Sequence, residues 1–124
     1  MDSYQLRYAL LCSIEGFTAV CAIDQLKLIK EDSFSVICNN QTSTEPGMHW
    51  VCFRKSKGTD LVEYFDSFAL PINMYPKRML SFCREHGKSI KYSQIQYQSN
   101  FSDACGDYCL NFLIKRSMAY SYDK

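Results

Sequence analysis

The sequence predicts an α+β fold: a mixed, mainly antiparallel central sheet flanked by helices. Three observations predict it. Short apolar runs with turn-forming residues between them read as strands, and two of them, residues 49–54 and 61–66, are joined by a short polar link. Two other segments, 76–86 and 105–119, carry apolar residues at helical spacing. Strands and helices do not alternate as regular βαβ units. A length of 124 residues suits one domain spanning residues 1–124.

Residues 4–12 place Tyr4, Tyr8, Leu11 and Cys12 on one face of a short helix, which Gly16 breaks. Residues 17–23 (FTAVCAI) and 34–38 (FSVIC) are rich in strand formers. Asn39–Gly47 (NNQTSTEPG) is a loop by its turn chemistry. His49–Arg54 and Leu61–Asp66 form the expected hairpin, with Gly58 in its turn. Pro76 starts a helix reaching residue 86. Ile90, Tyr92, Ile95 and Tyr97 alternate as in a strand over 89–98. A buried helix runs from Cys105 to about residue 119, with residues 120–124 expected as a frayed tail.

Composition narrows the function. Hydrophobic residues at 47% against 22% charged describe a chain able to bury a core, and a formal charge of +1 gives no electrostatic case for tight nucleic-acid binding. No run approaches the roughly 18 apolar residues of a membrane span. The N-terminus lacks a basic segment ahead of an apolar one, so no secretory signal is expected. Seven cysteines, an odd count within apolar runs, read as buried thiols in a reducing compartment. No metal or other cofactor is expected; Cys105 and Cys109 lack a neighbouring histidine in sequence.

The chemistry centres on Cys105. A nucleophilic thiol needs a lowered pKa, a base and donors for the oxyanion. Ser102-Asp103-Ala104 provides capping residues before Cys105, and Gly106 after it allows close backbone approach. Of the two histidines, His49 opens a strand beside Trp50. His86 lies near a helix end and reads as a surface residue favoured by the helix dipole. Asp66 ends the second hairpin strand. Strands about 4.8 Å apart put its carboxylate within reach of His49; strand-ending turn chemistry with Ser67 explains it equally well.

Three blocks then resemble the adenovirus-type cysteine endopeptidases, a group that extends to adenovirus-like transposons, small DNA viruses and the SUMO-deconjugating proteases. They are Gly47-Met48-His49-Trp50-Val51, Glu63-Tyr64-Phe65-Asp66-Ser67-Phe68 and the stretch from Gln98 to Cys109 with its Cys105-Gly106. The resemblance implies an adenain-like or ubiquitin-like-protease fold with the nucleophile at the N-terminus of a buried helix. It implies Cys105 as nucleophile, His49 as base, Asp66 as its orienter, and the Gln98 amide with the Cys105 N–H as oxyanion hole. Gly47, Trp50, Gly106 and, on a fainter match over residues 16–26, Asp24 would line the substrate groove. Trp50 has core filling as its other reading.

The implied activity is endoproteolysis of viral or transposon structural precursor proteins near small residues such as glycine, in the virion or the host nucleus or cytoplasm. Protein or peptide substrates are the implied partners, with no membrane. The family's DNA and peptide activators find no support in this nearly neutral chain, which has no cysteine at the corresponding position. The alternatives are a deconjugase for a ubiquitin-like modifier and an inactive binding module on the same fold.

Overall fold

The computed structural model describes Gln5, Ala9, residues 16–39, 49–66, 77–92 and 105–122, with side chains in the last segment at 108–116. Five strands form one sheet: β1 (Phe17–Ala22), β2 (Phe34–Asn39), β3 (Trp50–Lys55), β4 (Leu61–Phe65) and β5 (Ser89–Tyr92), in the order β1-β2-β3-β4-β5. Two helices flank it, α1 (Lys77–His86) and α2 (Cys105–Tyr122).

The sheet is mixed as expected but not mainly antiparallel. β1–β2 and β4–β5 pair parallel, and β2–β3 and β3–β4 pair antiparallel. The reason lies in the connections. Only the β3–β4 link is a tight hairpin, turned by Gly58 at φ 78°. The chain between β4 and β5 contains α1, and such a crossover returns the next strand in the same direction. Gly87 ends α1 so close to the Asp60 carbonyl that an added Cβ would lie 2.6 Å from its oxygen.

Strand alternation sorts the core into two layers. Val36, Cys38, Val51, Phe53, Val62 and Tyr64 face α1 and pack with its Met79, Phe82 and Cys83. Val20, Ile37, Cys52 and Phe65 face the other way and pack with Cys109 and Leu113 of α2. The central strands are buried on both faces, which is why they read as continuous apolar runs.

Two expectations, for the end of α2 and for His86, change in detail, and two others are described only in part. α2 continues to Tyr122, so residues 120–122 are helical rather than frayed. The predicted strand over 89–98 is described for Ser89–Tyr92, and its remainder lies outside the described residues. The predicted N-terminal helix is described at Gln5 and Ala9, both helical. His86 is half-buried rather than a surface cation. Its Nδ1–H donates to the Phe82 carbonyl (2.8 Å) and its Nε2 accepts the Ile29 N–H (2.9 Å). An acceptor nitrogen requires the neutral ring, which also packs on Phe82 with centroids 4.3 Å apart.

Candidate active site

The strand directions bring the candidate residues to one end of the sheet. β1, β2, β4 and β5 finish there and β3 starts there, as the pairings Ala22↔Asn39↔Trp50 and Tyr64↔Tyr92 require. Asp24, in the 3-10 turn Ile23–Gln25 that follows β1, is exposed at this end. His49 precedes β3 by one residue, and Asp66 follows β4 by one.

His49 and Asp66 meet. Cys52 pairs with Phe65, so continuing the register puts Asp66 opposite Val51 and makes His49 its diagonal neighbour in the same row. His49 Nε2 lies 2.6 Å from Asp66 Oδ1. Both residues are buried, His49 at 5% and Asp66 at 0% exposure. A carboxylate only accepts, so this bond puts the proton on Nε2 and turns Nδ1 into the imidazole's working nitrogen. A carboxylate with no exposed surface needs such a charge-complementary donor, because unpaired burial of a charge is costly. That need is a physical reason for the contact with His49.

The helix α2 begins at Cys105, on the sheet face opposite α1. Cys105 shares one helical stripe with Cys109, Leu113 and Arg116, at i, i+4, i+8 and i+11. The stripe's described members face the sheet. The Cys109 thiol donates to the Trp50 carbonyl (3.4 Å), and the Cys52 thiol reaches the Cys109 carbonyl at 4.0 Å. Phe112 stacks on Phe65, with centroids 4.5 Å apart and planes at 8°. The second turn of α2 is therefore tied through Cys109 to the residue that follows His49 and rests through Phe112 on the residue that precedes Asp66. The Cys105 side chain, Gln98 and Gly47 lie outside the described residues. Gly106 is the second residue of α2. Trp50 is half-buried and packs against the α2-side core, which its core-filling reading anticipates.

Two buried polar residues of the sheet have surroundings that the sequence reading did not predict. Asn39, 5% exposed, ends β2 opposite Trp50. Glu63 is buried between two arginines: Arg54 Nη1 donates to Oε2 (2.9 Å) and Arg116 Nε donates to Oε1 (2.9 Å). The signal for Glu63 was its parity, since an acid between Val62 and Tyr64 in a central strand points to the face opposite those two. Among the described residues no group of three or more His, Cys, Asp or Glu could hold a metal ion. No described helix is long and apolar enough to cross a membrane.

Two buried thiols of the core, Cys38 in β2 and Cys83 in α1, have raised pKa values. The hydrogen bond with Cys21, its register partner on β1, and then burial push the Cys38 thiol far above its ordinary range. Burial alone pushes Cys83 up to about 12. Neither has the environment of a nucleophile.

No protein-family model matches the chain, and no curated protein matches it. Solved structures do. A crystal structure of the ASFV pS273R protease is similar with a TM-score of 0.51 at 14% identity, over 90% of this chain and 53% of that one. A selenomethionine crystal structure of the ASFV pS273R protease gives 0.50 at 23% identity, over 68% of this chain and 34% of that one. The chain thus spans between about a third and about half of the structures it resembles. At these identities the likeness is one of fold: the α+β arrangement is similar to that of the ASFV pS273R protease, and it does not single out the adenovirus enzymes.

Proposed function

We propose that this chain is a cysteine endopeptidase with Cys105 as nucleophile, His49 as general base and then acid, and Asp66 as the residue that orients His49. The observation that carries the reading is the buried 2.6 Å contact between His49 and Asp66, at the sheet end where the helix opened by Cys105 is anchored. The similarity in fold to a protease supports it.

The mechanism of this reading gives each of those residues a step. The first N–H groups of α2 lack intrahelical partners and carry the positive end of the helix dipole, which stabilises a thiolate at Cys105. His49, with Nε2 committed to Asp66, takes the thiol proton through Nδ1. The thiolate attacks the scissile carbonyl carbon, and the oxyanion is received by the Cys105 N–H and the Gln98 side-chain amide. The tetrahedral adduct collapses as His49 returns the proton to the departing amine. Water, deprotonated by His49, then releases the acyl group. Asp66 holds the ring in its tautomer and stabilises the imidazolium between these steps.

The substrates of this reading are viral or transposon structural precursors cut near small residues, within a virion or the reducing interior of a host cell. Gly47, Trp50, Gly106 and Asp24 would border the groove. Incubation with a peptide library identifies the cleaved bonds. Cleavage beside small residues is expected, and it is abolished by Cys105→Ala; activity retained in that variant sinks the proposal. A requirement for a Gly-Gly tail would instead assign the chain to modifier deconjugation.

A further inference from the structure

We infer that Glu63 and Arg116, with the Cys52–Cys109 thiol contacts, form a latch that fixes the position of α2 along the β3–β4 hairpin, which makes them positioning residues for the thiol at its N-terminus. The inference rests on the protease reading.

Apolar contacts such as Leu113 on the sheet are non-directional and tolerate sliding. The contacts that resist sliding are directional, and among the described residues three join α2 to the hairpin. Two lie near the helix start: Cys109 thiol to Trp50 carbonyl at 3.4 Å and Cys52 thiol to Cys109 carbonyl at 4.0 Å. Thiols are weak donors, and the second contact is long, so these alone hold loosely. The third is strong. Arg116 Nε donates to Glu63 Oε1 at 2.9 Å, and Glu63 is 5% exposed. Charge-assisted bonds of this kind are short and directional.

Glu63 already has a cross-strand partner. Arg54 is paired with it in register and donates to its other oxygen. Charge neutralisation therefore does not call for a second arginine; what Arg116 adds is a tie between elements. Glu63 is the buried member and Arg116 is partly exposed, and setting register is the best-attested use of a buried charged group. The same hairpin carries His49 before β3 and Asp66 after β4. Thus the latch connects the element bearing the nucleophile to the element bearing its base.

Distance separates this role from an electrostatic one. Arg116 lies eleven residues beyond Cys105, roughly 16 Å along the helix, which exceeds the Debye length of about 8 Å at physiological salt. Its charge is screened from the thiol. A slip of one residue, by contrast, moves Cys105 about 1.5 Å and rotates it by about 100°. A displacement of about 1 Å can cost about 10²-fold in rate.

The test uses the full chain with Arg116→Met, which keeps an unbranched apolar stem. Three quantities are read: thermal unfolding, kcat and KM on a cleaved peptide, and the rate of Cys105 alkylation by iodoacetamide against pH, mapped by mass spectrometry. The variant is expected to melt cooperatively, to lose about 10- to 100-fold in kcat with KM little changed, and to shift its alkylation profile towards an ordinary thiol value of about 8.5. Arg116→Lys, which keeps the charge and one donor, recovers most of the loss. If Arg116→Met does not fold, Arg116→Gln, which removes the charge and keeps a polar side chain, carries the comparison with the same loss expected. An unchanged kcat and alkylation profile in the variant overturns the latch while leaving the protease reading intact. A parent chain whose Cys105 is not selectively alkylated sinks the protease reading and the latch with it.

Discussion

Asp66 is the residue on which sequence and structure differ most in what they say. In sequence its chemistry is shared with any strand-ending aspartate. Only the hairpin register, which puts it diagonal to His49, and its complete burial give it a partner. Asp66→Asn keeps the shape and removes the charge, and an amide at this position can present its NH2 to Nε2 and favour the wrong tautomer. A fall in kcat of about 10³–10⁴ is expected with little change in KM, measured by steady-state cleavage. His86 illustrates the opposite outcome. Its position near a helix end suggested a solvated cation, but the fold folds the 27–31 segment back over it. His86→Ala leaves the Ile29 N–H without its acceptor and should cost about 1–3 kcal/mol in a denaturant titration, with no direct effect on the chemistry. Nothing in the sequence marks Ile29, fifty-seven residues away, as the partner.

At the scale of elements, the strands and helices were legible because their period was clear. FSVIC, WVCFRK and LVEYF bury both faces and read as strands for that reason. Parallel pairing was not legible, because strand order depends on where crossovers pack, and that is decided by contacts between distant segments. The α2 stripe was partly legible: a buried helix from Cys105 was expected from its apolar residues, Phe112 and Leu113 among them, whereas the role of Arg116 required knowing that Glu63 sits beneath it. Leu113→Ala removes a fully buried side chain from the α2-side core, and calorimetry should show a loss of about 2–5 kcal/mol. Gly87→Ala tests the α1–β5 joint. Its Cβ would meet the Asp60 backbone oxygen at 2.6 Å, and the same carbonyl accepts the Ser89 N–H at 3.1 Å. Overpacking against backbone should cost about 1–3 kcal/mol in thermal unfolding.

For the whole molecule, one end of the sheet is given to the candidate site and the other to fastening. There Lys55 Nζ donates to the Asp32 carboxylate (2.5 Å) and to the Asp32 carbonyl (2.7 Å), while the Gly58 N–H donates to Oδ2 (2.8 Å). The Lys55 hydrogen bond, then that of Gly58, holds the Asp32 carboxyl below its ordinary 3.8. A lowered value means the charged form is favoured on folding. Asp32 therefore stabilises the fold above pH 3.8, and that contribution fades as pH falls through its lower folded value. The buried thiols act at the other limit. Cys83 is raised from 9.0 to about 12, and Cys38 is raised too, so the unfolded chain releases these protons first. Denaturant midpoints should hold below about pH 9 and fall progressively towards pH 12; Cys83→Ala should flatten part of that decline, whatever it does to the midpoint at neutral pH.

The claim on which the rest depends is that Cys105 is a thiolate nucleophile paired with His49, and the most direct measurement is the pH dependence of its alkylation in the folded chain. Iodoacetamide is applied across a series from about pH 4 to about pH 9, and each cysteine is quantified by mass spectrometry. The account predicts rapid modification of Cys105 well below the ordinary thiol value of about 8.5, slow modification of Cys38 and Cys83, and loss of the low-pH reactivity of Cys105 in His49→Ala. A Cys105 that titrates near 8.5 regardless of His49, or another cysteine that reacts first, would contradict it.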